Sequence, residues 1–250
     1  MGGVHSNVRA LQAALDAAAA RGIDRIYSLG DLVGLGPDSE AALALAEARG
    51  ILSLPGEFEM NLEGGELGWD RGFPGDYSIL TSVRDHAKKN LLAERAAKTA
   101  SWPHLVRFRL GRHRVLLAHG SPAWIAEGCW ESRQNVEYLG WFDENGADVI
   151  ACDHTGLPWS REVAPGRWMV NVGSVGRPAN DGRRAGTMAV LSEGEPPAIE
   201  FVPLQYDVDA VIARIRAEGL PEELWRTHEE GYWHFLFDPL PPLERARGRY

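Results

Sequence analysis

Short apolar runs alternate along this chain with segments whose apolar positions recur every three or four residues. Ile23 to Leu29, Ile51 to Leu54, Leu105 to Leu110, Val115 to Ala118, Val149 to Cys152, Trp168 to Val172, Met188 to Leu191 and Ile199 to Val202 have the length and content of buried strands. Leu11 and Leu15 share one face of a helix that Asn7 caps and Gly22 closes. An alanine-rich helix follows Pro37 and stops at Arg49-Gly50. Ile79, Val83, Ala87 and Leu91 predict a single helix from Ser78 to about Ala100, and Val211, Ile212 and Ile215 predict an amphipathic one over Val208 to Gly219. Strand–helix alternation at the start implies a parallel sheet, and Gly111-Arg112-His113 reads as a hairpin turn. Residues 56–77 break the pattern with Gly64, Gly65, Gly68, Gly72 and Gly75. A loop of that length is functional or mobile in a compact domain, and Glu63 to Tyr77 is expected to be its most mobile part. With no internal repeat and no low-complexity linker, residues 1–231 read as one domain. Residues 232–250, aromatic and then proline-rich, read as a C-terminal tail.

Composition narrows the class. Hydrophobic content of 44% and charged content of 24% are those of a soluble globular protein. No apolar stretch is long enough to span a bilayer and no leader precedes the first helix, so no membrane partner is expected. Two cysteines, Cys129 and Cys152, argue against a disulfide framework and fit the reducing cytoplasm. A net charge of −9 disfavours a nucleic-acid backbone as partner.

The polar residues that matter sit where apolar runs stop. Asp31 follows Ile26 to Leu29 in Gly30-Asp31-Leu32-Val33-Gly34, His119 follows Val115 to Ala118, and His154 follows Val149 to Cys152. His5 precedes the first helix, where a preceding strand would end. Ligands of open α/β sheets bind outside the carboxyl ends of strands. Three imidazoles and a carboxylate meeting on one rim suit a divalent transition metal such as zinc, manganese or iron. His86, His104, His113 and His228 lie at no such position and are expected to be structural.

In order and spacing these residues resemble the calcineurin-like metallophosphoesterases, in particular their small bacterial branch. The family pattern of Asp-x-His, Gly-Asp, Gly-Asn-His-Asp, His-Gly and Gly-His-x-His meets Gly3-Val4-His5, Gly30-Asp31, Gly56-Glu57-Phe58-Glu59, His119-Gly120 and Asp153-His154-Thr155-Gly156. Asn171 to Pro178 and Tyr206-Asp207-Val208 resemble the same branch. The resemblance implies an α/β fold, a four-layer α/β/β/α sandwich, with two metals bridged by one aspartate, here Asp31. The family's strand before Asp-x-His has no counterpart after Met1-Gly2-Gly3. Either that strand is missing or the assigned start lies downstream of the real one.

The departures fall on the chemistry. Of the first metal's four side chains the resemblance leaves His5 and Asp31, with glycine at 3 and 156. For the second metal it supplies Asp31, Glu57, His119 and His154, with Glu57 in place of asparagine. Phe58 stands where the family has the histidine that acts on the phosphate, and a phenyl ring moves no proton. Asp153 is a candidate substitute ligand, although a solvent-facing turn residue is its ordinary role. Two functions follow as expectations. One is a phosphoric ester hydrolase, a phosphodiesterase or phosphatase weakened or working with one well-held metal on a small phosphate ester or nucleotide. The other is a non-catalytic pseudoenzyme that binds a metal, nucleotide or partner on the same scaffold.

Overall fold

The structure, a computed structural model, describes residues 1–62, 78–235 and 240–247. The expected mobile loop, 63–77, lies outside the described residues. Helix α1 (Val8–Ala19) begins as the sequence predicts, with the Asn7 side chain accepting from the Ala10 N–H at 3.0 Å. Strand β1 (Tyr27–Ser28), α2 (Ser39–Ala48) and β2 (Leu52–Ser53) follow, with β1 and β2 parallel. Then come α3 (Glu57–Leu62), α4 (Ser78–Asn90), α5 (Ala93–Thr99) and the antiparallel hairpin β3 (Val106–Leu110) and β4 (His113–Leu117). Helix α6 (Val136–Asn145) leads to β5 (Val149–Cys152), β6 (Trp159–Ala164) and β7 (Arg167–Asn171). A second hairpin, β8 (Thr187–Ser192) and β9 (Ala198–Pro203), precedes α7 (Val208–Ala217), α8 (Glu222–Glu230) and α9 (Pro242–Arg247).

The larger sheet has the order β3-β4-β5-β7-β6, with β4, β5 and β7 parallel. Alternation along these strands sorts side chains to its two faces. Val115, Leu117, Val149, Ala151 and Val170 face a core shared with Leu29, Leu54, Ala189, Leu191 and Phe201. Leu116, Ile150, Cys152 and Met169 face the opposite way, onto Tyr138 and Phe142 of α6. The same rule splits β8 and β9: Met188 and Val202 point to α1, α2, α4, α7 and α8, while Ala189 and Phe201 point to the large sheet. The result is the expected four layers, helix, sheet, sheet, helix.

Local differences from the sequence pattern have local causes. The helix expected over Ser78 to Ala100 is two, because Leu92 is extended at φ −62°, ψ 131° and its N–H is taken by Glu40 of α2 at 3.2 Å. Residues 57–62, read as loop, form α3, a helix too short to show periodicity. Helices α6 and α8 and edge strand β6 are additions to the expectation. The buried face of α8 includes Thr227 and His228, which hides its period from an apolar pattern. No strand precedes α1 among the described residues. Residues 1–6 run instead as an irregular segment, with Leu29 N–H bonded to Met1 O, His5 N–H to Asp31 O and Val175 N–H to Gly3 O. No helix among the described residues is long and apolar enough to cross a membrane.

The segment after Gly231, expected as an appendage, contributes to the body. Trp233, Phe235 and Leu240 are buried, and the Glu244 carboxylate accepts from the Ser132 N–H and hydroxyl at 2.8 and 2.7 Å. Trp233 is fixed at both ends, its backbone N–H on Asn180 Oδ1 and its indole N–H on Pro178 O. Trp233→Ala should therefore lower unfolding free energy by about 3–5 kcal/mol. Urea denaturation checks this; a cost below about 0.5 kcal/mol, the surface range, would make the segment a true appendage.

Candidate metal centre

The carboxyl ends of β1, β4 and β5 open on one rim, and the turns leaving them carry Asp31, His119 and His154. Those turns are held in an uncommon backbone. Five described non-glycine residues have φ in the left-handed region, and four of them, His5, Ser6, Asp31 and His154, lie here. Such conformations persist only where surrounding contacts over-determine them. Glu59 supplies much of that constraint. Its buried carboxylate accepts from the N–H groups of Asp31, Val33 and Gly56 at 2.8, 2.9 and 2.7 Å. The loops after β1 and β2 are thereby tied to α3. A Cβ on Gly56 would lie 2.1 Å from Asp31 Oδ1, so only glycine allows that approach.

Two imidazole–carboxylate pairs result. His119 Nε2 lies 3.5 Å from Asp31 Oδ2, and His154 Nδ1 lies 3.6 Å from Glu57 Oε2. The two imidazole rings are 5.4 Å apart. His119 Nδ1 bonds to Leu29 O at 2.6 Å, and because a carbonyl only accepts, the proton is on Nδ1. That leaves an Nε2 lone pair that is buried and has no partner, as is Glu57 Oε1. Two donors on one tetrahedral ion with bonds of about 2.1 Å stand about 3.4 Å apart, close to the spacing within each pair. Among the described residues, however, no three His, Cys, Asp or Glu side chains are grouped as a ready-made cation site. The donor chemistry fits a divalent metal; its present arrangement is two pairs.

The remaining sequence-predicted residues are close by but differently engaged. Asp153 is buried, not solvent-facing, and its Oδ2 caps the Gly3 N–H while Oδ1 has no partner. The His5 ring lies across Gly3, where an added Cβ would meet Nε2 at 2.5 Å, and touches Phe58 edge-on. His5 Nδ1 is buried without a partner. Phe58 is buried, its backbone N–H donating to Asp31 Oδ1 at 3.1 Å. Among the histidines left as structural, His86 and His113 bond to Pro37 O and Gly194 O.

Three contributors were not singled out from sequence. Asn171, at the end of β7, donates to Asp153 O and Thr155 Oγ1 at 2.7 and 2.8 Å and so holds the turn that carries His154. Glu59 was visible only as the last residue of a motif. Arg177 is buried, donates through Nη2 to Thr155 O at 2.9 Å, and stacks on the Trp233 ring at 4.1 Å. Gly156 has φ +68°, and a Cβ there would lie 2.7 Å from Arg177 Nη2. The two glycines at the family's ligand positions thus face occupied space, filled by His5 at one and Arg177 at the other.

Burial dominates the electrostatics. It raises Glu57 to about 8, with help from the Asp31 charge, and Asp31 itself to about 7 against the Phe58 N–H and Arg177. Glu59 rises to about 7 and Asp153 to about 6, again chiefly through burial. Burial, with the Arg177 charge, lowers His154 to about 3, and the same two causes drive His5 well down.

The amino-acid sequence matches the family model described as the calcineurin-like phosphoesterase superfamily domain over residues 1–195. An uncharacterized protein of Methanocaldococcus jannaschii is 26% identical over 240 residues, covering 88% of this chain and 92% of its own length. A crystal structure of a metallophosphoesterase from Sphaerobacter thermophilus superposes with a TM-score of 0.73 at 26% identity, over 92% of this chain and 97% of its own. A hypothetical protein of Pyrococcus horikoshii shares the fold, with a TM-score of 0.79 at 19% identity over 92% and 96% of the two chains. This chain belongs to the calcineurin-like phosphoesterase superfamily, a family that uses divalent metals.

Two outcomes follow from the site's geometry. Glu59→Gln presents an NH₂ to N–H donors that need an acceptor, and should cost about 2–4 kcal/mol, read by urea unfolding, because buried donors lose their partner. A variant as stable as the parent would show that the clamp is dispensable. The second concerns pH. Asp31, Glu57 and Glu59 are raised above their unfolded values, so the folded state holds their protons more tightly and stability falls as pH rises through 7 to 8. His5 and His154, both lowered, are neutral in folded and unfolded chains above about pH 7.5 and do not oppose this. The Met1 amino group, lowered by burial to about 6, opposes it by less than the three carboxylates together contribute. The melting temperature of the metal-free protein should therefore drop between pH 7 and pH 9, and a divalent metal should flatten the decline. A rise over that window would overturn the assignment of buried, unpaired carboxylates.

Proposed function

We propose that this chain is a metal-dependent phosphoric ester hydrolase with one tightly held divalent metal, manganese, iron or zinc, on Asp31, Glu57, His119 and His154. The observation that carries this is two buried donor atoms without a hydrogen-bond partner, His119 Nε2 and Glu57 Oε1, on side chains that pair with the Asp31 carboxylate and the His154 imidazole at one rim. When bound, the metal supplies Lewis acidity toward the phosphoryl oxygens. His119 keeps its proton at Nδ1, on Leu29 O, so its Nε2 is committed as a lone pair. Asp31 is oriented by the Phe58 N–H on one oxygen and leaves the other toward His119.

Phe58 sets the substrate class. The side chain at the family's proton-transfer position carries no proton, so a leaving group must depart as the anion. That favours aryl esters and phosphoanhydrides, such as nucleotide polyphosphates, over simple alkyl esters, whose alkoxides need protonation. A second reading, a pseudoenzyme that binds a phosphate ester without turning it over, is favoured by the same Phe58 and by the filled spaces at Gly3 and Gly156.

The test is metal content followed by a leaving-group series. After dialysis against a weak chelator the protein should retain about one equivalent of metal, as a four-donor set implies. His119→Ala should lose it, and His5→Ala should keep it. With the metal bound, rates should climb steeply with leaving-group acidity, and Phe58→His should raise alkyl-ester hydrolysis by about a hundredfold, the typical worth of a general acid. Two equivalents, or none, would overturn the ligand assignment. Binding without turnover across the whole series would establish the second reading.

A further inference from the structure

Arg177 is a buried cation that the ligand set does not use. The residue is 6% exposed, yet its guanidinium has one hydrogen bond, Nη2 to Thr155 O, and its Nε is buried with no partner. A guanidinium offers five N–H donors, and leaving the Nε–H unsatisfied in the interior is costly. Asp31 and Asp153 act on it through space, but no hydrogen bond joins it to either. The cost is accepted at a defined place. The group lies 2.7–3.3 Å from where a side chain on Gly156 would begin, and its charge reaches Asp31, Asp153, His5 and His154 together. It is also held there. The Trp233 ring stacks beneath it, and that ring is itself anchored on Asn180 and Pro178. The rim beside it is accessible, with the His154 and Glu57 side chains 16% and 12% exposed.

We propose that Arg177 is a phosphate-binding residue: its guanidinium stands where a side chain at residue 156 would reach into the rim, and takes phosphoryl oxygens of the substrate there. This rests on the reading of the site as one for phosphate esters. A fixed guanidinium fork matches two phosphoryl oxygens, which an ammonium cannot do, and its charge is present without any ion being recruited. Beside a single metal, it supplies the second positive charge from the chain itself. His5, whose ring fills the space at Gly3, completes the replacement on the other side. The segment after Gly231 gains a role through Trp233, as the platform that aims the cation.

Titration calorimetry with inorganic phosphate tests this, on manganese-loaded and on metal-free protein, with metal stoichiometry measured separately. Arg177→Met should leave metal content unchanged and weaken phosphate binding by roughly tenfold or more, the worth of a charge-assisted bidentate contact. Arg177→Lys, which keeps the charge and loses the fork, should fall between Met and the parent, and it serves as the reporter if the Met variant fails to fold. Phosphate affinity unchanged in a folded Met or Lys variant would overturn the proposal and leave Arg177 as a clamp between the 155 and 177 segments. So would uptake of a second metal by the parent protein while Arg177 is in place. If the parent holds no metal at all, the metal assignment fails on its own, and the dependence of phosphate affinity on Arg177 in metal-free protein still decides this proposal.

Discussion

A single buried carboxylate keeps the rim in shape. Glu59 takes the backbone N–H groups of Asp31, Val33 and Gly56, which belong to two different loops, and so turns two strand ends into one rigid unit. It helps to hold Asp31 at φ +54° and tethers Gly56 against its carboxylate. The His119–Leu29 hydrogen bond depends on the same arrangement, since Leu29 lies two residues before Asp31. Position, tautomer and backbone strain at the site are therefore linked through one side chain that would touch neither metal nor substrate.

Much of the scaffold is legible in the sequence because its period matches the layers. Val115, Leu116 and Leu117 read as one apolar run, and each successive residue faces a different core because both faces of the central sheet are covered. The ends of such runs announce Asp31, His119 and His154 without any structural knowledge. Asn7 announces its helix because capping is a local interaction, its side chain accepting from the N–H three residues on. What stays hidden is set by contacts remote in sequence. Helix α3 has too few residues to show a period, and the break between α4 and α5 depends on Glu40, far away in the chain.

The candidate site divides along the same line. Its donors are local features of strand ends; its environment is not. Arg177 carries no pattern of its own, and its meaning comes from the absence of a side chain at Gly156 and the presence of the Trp233 ring. Asp153 reads as an ordinary turn residue until the structure brings Gly3 against it. Phe58 is legible as a substitution, but the way its ring meets His5 over the space beside Gly3 is a matter of packing.

The two occupied glycine positions also limit the routes open to the chain as it varies. An aspartate at residue 3 would run into the His5 ring, and a histidine at residue 156 into the Arg177 guanidinium on a backbone at φ +68°. A side chain at either position requires the neighbouring ring or guanidinium to swing aside and give up a buried contact. Packing therefore couples each of these glycines to one neighbour, so that the effect of a substitution at residue 3 depends on what stands at residue 5, and at 156 on what stands at 177.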